Sequence, residues 1–199
     1  MSPRCALLML VIGAVCVLAR GASKNKCPWV MGKYPFDETK MSGEWYIIAG
    51  TPLLGPAISK CPKLTFSAKK TNNDLLLNLR LNATNPKDGS EFTYESNSQA
   101  FKPEKAAMSQ GVWRRVGTEQ WTQVYKQVFA QTDYDNYAVF LACRSLYNDA
   151  TSSFGRHFAA QVWSRRPTLS EETLGVLKNL LTGYDVDPAD IQMADQSCY

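Results

Sequence analysis

The stretch Phe36-Asp37-Glu38-Thr39-Lys40-Met41-Ser42-Gly43-Glu44-Trp45-Tyr46-Ile47-Ile48-Ala49 decides how the rest of the chain is read. Its first half is polar and turn-prone; its second half is aromatic and β-branched, the composition of a strand. Gly43 permits a sharp bend or a close backbone approach just before that strand begins. Trp45 then sets a large apolar body near the turn, where it would seal one end of an enclosed space. The remaining sequence must supply the enclosure.

Residues 1–21 are set apart from the fold. Arg4 gives positive charge, Cys5 to Leu18 is an apolar run, and Ala19-Arg20-Gly21 offers small residues for cleavage, after Gly21 or Ser23. The run is too short and wrongly flanked for a membrane span, so it reads as a secretory signal peptide. Residues 22–199 then form a single domain, secreted and extracellular. Loss of Arg4 and Arg20 lowers the formal charge from +4 to +2, too little and too scattered to draw nucleic acid. No later stretch is a transmembrane segment. Of six cysteines, Cys27, Cys61, Cys143 and Cys198 remain. They are widely spaced, without histidine partners, so no metal site is expected; an oxidising compartment makes them two disulfides, with three connectivities open.

After the first strand, Gly43 to Thr51, a long loop runs from Leu53 to Ser59. A second strand is read over Cys61–Ala68 and a third over Leu75–Thr84, where Leu75, Leu77, Leu79 and Leu81 share one face. Asn82-Ala83-Thr84 is a glycosylation acceptor, which turns Asn82 to solvent and the four leucines inward. Turns at Thr71–Asp74 and Asn85–Gly89 flank this strand. Further strands follow over Glu91–Tyr94, Met108–Val116, Trp121–Ala130, Tyr137–Cys143 and Arg156–Arg165. Past Pro167 the period becomes helical: Thr168-Leu169-Ser170-Glu171 resembles a capping box, Leu174, Leu177 and Leu181 make one stripe, and Gly183 ends it. The expected fold is all-β: an eight-stranded antiparallel up-and-down barrel with one C-terminal amphipathic helix packed on its outside.

Three segments resemble the lipocalin family, and the likeness spans essentially the whole chain after the leader. They are Phe36–Tyr46 around Gly43 and Trp45, the Thr132-Asp133-Tyr134 turn, and Trp163–Pro167 with Arg165. Within the family the chain is most similar in flavour to apolipoprotein D and to arthropod bilin- and carotenoid-binding lipocalins. Lys40-Met41 departs from the residues usual ahead of the glycine. The resemblance implies disulfides Cys27–Cys143 and Cys61–Cys198, and Arg165 packed over Trp45 at the closed end.

Strand parity, taken with the resemblance, gives a set of inward residues. With Cys143 outward, Ala138, Phe140 and Ala142 point inward; Ala159, Gln161 and Trp163 share a face of the eighth strand. The family pattern adds Tyr125, Gln127 and Phe129, and Ile47, Ala49, Leu64, Phe66, Leu77 and Leu79 complete a mainly apolar calyx. The function expected is a carrier for a small hydrophobic molecule (a fatty acid, steroid, retinoid, carotenoid or bilin), with no required cofactor.

Catalysis is the rival class. His157 is the sole histidine and reads as an ordinary strand residue, while Asp133 and Asp135 sit in a turn where short carboxylates cap amides. A lipocalin isomerase would need a cavity thiol, and Cys61 has an implied partner. The other alternative is a surface-acting or pigment-subunit lipocalin, homo- or hetero-oligomeric, using Trp113 and Trp121 at the rim.

Overall fold

The computed structural model describes residues 25–55, 57–102 and 107–199; the signal-peptide assignment for 1–21 lies outside them. A short helix α1 (Glu38–Met41) leads into strands β1 (Gly43–Gly50), β2 (Lys60–Lys70), β3 (Leu75–Thr84) and β4 (Glu91–Ala100). Strands β5 (Met108–Arg115), β6 (Tyr125–Thr132), β7 (Tyr137–Asn148) and β8 (Ser153–Ser164) follow, then helix α2 (Glu171–Gly183) and a two-residue strand β9 (Gln192–Met193). Every sequential pair from β2 to β8 is antiparallel, and β1 bonds to both β8 and β2, closing an eight-stranded barrel. β9 adds to β1 at Ala49 and Gly50.

The alternation in β3 produces the expected split. Leu75, Leu77, Leu79 and Leu81 are buried, while Asn82 is exposed and accepts a hydrogen bond from Thr93 Oγ1 at 2.8 Å. β4 runs six residues past Tyr94, through a serine-rich segment of weak strand propensity. Its full register with β3 and β5 overrides that propensity. β6 starts at Tyr125; Trp121 makes only an isolated bridge to Arg114.

The barrel has two apolar compartments. Inside, Trp45, Phe66, Trp113, Tyr125, Phe129, Phe140 and Trp163 belong to one core cluster. Outside, α2 lays Leu177 and Leu181 on the group containing Val139, Leu141 and Val162, and Leu174 on Ile48 and Ala49. The helix is capped by Ser170, whose Oγ accepts from the Thr173 amide at 3.2 Å. The Thr168-to-Glu171 box therefore lies two residues too early, because the chain leaving Pro167 stays extended until Ser170.

One irregularity moves a residue from one compartment to the other. The β1–β8 register slips between Ile47 and Ala49, a bulge at Ile48. Ile47 stays inside opposite Trp163, but Ala49 pairs with Val162 and turns outward toward α2. Ala49, expected on the calyx wall, is thus an outer-wall residue. Just beyond, Gly50 has φ +145°, and a Cβ there would sit 2.1 Å from the Ala160 carbonyl oxygen. β8 crosses β1 too closely at that point for any side chain.

Candidate ligand-binding site

The closed end of the barrel is built from the three segments singled out in the sequence. Gly43 turns the chain at φ +105°, and Trp45, fully buried, donates from Nε1 to the Met41 carbonyl at 2.9 Å. The Arg165 guanidinium lies 3.8 Å from the Trp45 ring centre. It also donates to the carbonyls of Tyr134 (3.0 Å), Glu44 (2.9 Å) and Lys40 (2.6 Å). One cation therefore ties α1, β1 and the β6–β7 turn together. Burial lowers its pKa from the ordinary arginine value.

That turn holds its own shape. Thr132 Oγ1 donates to the Tyr137 carbonyl at 2.7 Å and accepts from the Tyr134 amide at 2.8 Å. Asp133 Oδ1 accepts from the Asn136 and Tyr137 amides at 2.8 and 2.9 Å. Burial pushes the Asp133 carboxyl up, but the Tyr137 amide and the Asn136 side chain and amide outweigh it, leaving the pKa lowered. Tyr134, at φ +70°, accepts from the Asp37 amide through its hydroxyl at 3.0 Å.

Above this floor the inner wall brings together most of the sequence-expected set. Ile47, Leu64, Phe66, Leu77, Leu79, Tyr125, Phe129 and Phe140 are buried within one cluster, as are Ala138, Ala142, Ala159 and Trp163. Gln127 and Gln161 are buried too. Ser98 Oγ donates to Gln127 Oε1, and Trp163 Nε1 to Gln161 Oε1, each at 3.0 Å. Aromatic rings fill the lower half: Phe129 packs against Phe66, Phe140 and Trp163 with centroids 5.3–5.5 Å apart.

The open end is covered by the loop between β1 and β2. Leu53 reaches into the barrel and is 5% exposed, with Leu54 beside it. Between Pro52 and Ala57 no backbone hydrogen bond joins the loop to the barrel among the described residues. Beneath the loop is a cavity of about 20 Å³, lined by Ile47, Leu64, Leu81, Tyr94, Trp113, Gln161 and Trp163 as well as the loop itself. That is room for about one water molecule.

A polar group near the mouth was not legible in the sequence. Arg144 has the parity of Ala142, and its guanidinium lies 5.2 Å from the Tyr125 ring centre. The Tyr125 hydroxyl and His157 Nδ1 are 2.8 Å apart. Burial, then the Arg144 charge, lowers the His157 pKa; burial raises that of Tyr125. Reading the seventh strand only as far as Cys143 stopped one residue short of Arg144. Trp113, expected at the rim, is 1% exposed and points inward, because its parity follows Ser109 and Gly111; Trp121 is half-buried beneath Arg114.

The cysteines pair as Cys27–Cys143 and Cys61–Cys198. No group of three or more histidine, cysteine or acidic side chains is placed to hold a metal among the described residues.

An eight-stranded meander, sealed by an arginine-covered tryptophan and flanked by one outer helix, is a lipocalin-like barrel fold. The chain resembles the lipocalin family, apolipoprotein D and arthropod members of it in particular. Apolipoprotein D of Bos taurus is 28% identical over 177 residues, covering 86% of this chain and 83% of its own length. Apocrustacyanin C1 superposes with a TM-score of 0.63 at 18% identity, over 87% of this chain and 89% of its own. Insecticyanin from the tobacco hornworm Manduca sexta gives 0.62 at 19% identity over 86% of each chain. At these identities the two structures bear on fold alone. No family model matches the chain.

Proposed function

We propose that this protein is a secreted carrier that holds one small hydrophobic molecule in its calyx and performs no chemistry on it. The observation that carries this reading is the inner wall: apolar, with its glutamines hydrogen-bonded, closed at the floor and covered at the mouth by a loop held through Leu53. Small-molecule sites are built this way, with a few placed polar groups in an apolar pocket. Such pockets run to about 300–1,000 Å³. Loading therefore displaces the loop, and the ligand takes the space of Leu53 and Leu54.

Secretion is supported by the leader-like residues 1–21 and by two long-range disulfides, which oxidising compartments favour. Residues 22–199 then form the mature domain, and exposed Asn82 is its glycosylation site. All four described cysteines that could serve as a nucleophile are paired, which supports a non-enzymatic role. The bound class is a bilin, carotenoid, retinoid or lipid.

A second reading, an oligomeric lipocalin acting through its surface, is favoured by one observation. Trp29, Met31 and Tyr34, in the segment that follows Cys27, are 84%, 69% and 75% exposed. Sedimentation across a concentration range separates the two readings.

The decisive experiment is native purification, an absorption spectrum and mass spectrometry of the organic extract, followed by titration with hydrophobic fluorophores. A stoichiometric extracted molecule or saturable uptake is expected. A colourless, empty protein that takes up no probe overturns the carrier reading.

A further inference from the structure

The mouth loop is tied down by the C-terminal tail. Thr51, at its start, is bonded to the Ala160 carbonyl, and Lys60, at its end, pairs with Thr84 on β3. Between them, among the described residues, the Ile58 amide is the one backbone group with a hydrogen bond. Its acceptor is Gln192 Oε1 on β9, at 2.9 Å. Where the loop rejoins β2 the tail takes hold again. The Cys61 amide donates to the Asp195 carbonyl at 2.7 Å, Cys61 is bridged to Cys198, and the Tyr199 hydroxyl donates to the Cys61 carbonyl at 3.3 Å. The Lys60–Asp195 ion pair, at 3.5 Å, is exposed and adds little.

The other side of the tail grips β1, through the Ala194 amide on the Ile48 carbonyl (2.9 Å) and Gln196 Nε2 on the Ile47 carbonyl (2.6 Å). Tyr199 packs edge-on against Tyr46 with ring centres 5.0 Å apart. The loop is therefore fastened to β1 by way of the tail. Docking the tail also has an opposing term: Gln196 Oε1 is buried without a donor, and lifting the tail returns it to water. In the closed arrangement the space beneath the loop is about 20 Å³, so anything larger than a water molecule enters only after the loop has moved. A ligand that binds only the open form has its apparent affinity reduced by the fraction of molecules that are open. Each contact made in the closed form alone lowers that fraction.

We propose that residues 192–199 latch the mouth: the Ile58–Gln192 bond, on a tail pinned by Cys61–Cys198, holds the empty calyx shut and sets how fast it opens. The inference rests on the carrier reading and gives the tail a part in access, not in the choice of ligand.

The test has two readouts on the full chain, hydrogen exchange of the empty protein and stopped-flow uptake of Nile red. Gln192→Ala removes the acceptor and leaves the β9 backbone pairing in place. It is expected to speed exchange at Ile58 and to raise the association rate about threefold, the scale of one hydrogen bond, with dissociation unchanged. Cys61→Ser combined with Cys198→Ser raises both effects further. Ser170→Ala, which weakens the cap of α2 beside the β6–β7 turn, moves neither. Should the double variant fail to fold, Gln192→Ala decides alone. Unchanged exchange at Ile58 in Gln192→Ala overturns the latch. So does faster exchange with an unchanged association rate, or an equal rise in Ser170→Ala; each of these leaves the carrier reading standing. No uptake of Nile red by any form overturns the carrier reading and the gating with it.

Discussion

Trp45 is buried by groups both near and far in the sequence: the Met41 carbonyl at its indole nitrogen, the Arg165 guanidinium over its face, and the inner core above it. A cation held against an indole contributes roughly 0.5–2 kcal/mol, and here the same cation also satisfies three carbonyls. Trp45→Ala should cost about 3–5 kcal/mol in urea unfolding, as deletion of a large buried aromatic does. Loss of ligand uptake with unchanged stability would instead place Trp45 in the binding site. This residue was readable from its neighbours in sequence, since a glycine, a tryptophan and a strand pattern lie within nine positions. Arg144 was not. Its surroundings depend on Tyr125 and His157, contributed by other strands, and on a parity visible only once β7 is known to continue to Asn148.

Elements followed sequence pattern where one face is plainly apolar and departed from it where geometry intervenes. β3 alternates cleanly and was legible residue by residue. β1 was legible as a strand, yet its bulge at Ile48 carries no signature in a run of apolar residues, so the side of Ala49 could not be read. The serine-rich half of β4 is a strand only because two neighbours bond to it. For α2, two hydroxyl residues near the start competed for the cap, and Ser170 Oγ is the one that meets a free amide. Ser170→Ala should therefore lower stability by about 1 kcal/mol, with Thr168→Ala close to neutral. Paired thermal melts separate the two sites, and a larger loss from Thr168→Ala would move the helix start.

At the scale of the whole molecule, closure of the barrel fixes an inside that side chains largely occupy, leaving about 20 Å³ beneath the mouth loop. The sequence conveyed the container and not how full it is, because filling depends on how rings from β2, β6, β7 and β8 interleave. The two disulfides span 116 and 137 residues and fasten opposite ends of the chain to the wall. Loops of that length restrict the unfolded chain strongly, so loss of each bridge should cost about 2–5 kcal/mol. Urea midpoints measured with and without reductant check this, and unchanged midpoints would contradict it.

The second bridge also bears on an edge. β2 pairs with β1 only from Gly43 to Tyr46; past that point β2 veers off into the mouth loop, and β9 takes its place on Ala49 and Gly50. The tail is held there by the Ala194 amide on the Ile48 carbonyl and by Cys198 on Cys61. A chain clipped ahead of Gln192 would keep its barrel but bare a row of unpaired strand groups beside the mouth, a template for another copy's backbone. The last eight residues thus cover that edge, and because Cys198 tethers a cut tail, it is a chain truncated ahead of Gln192 that is expected to show turbidity before unfolding.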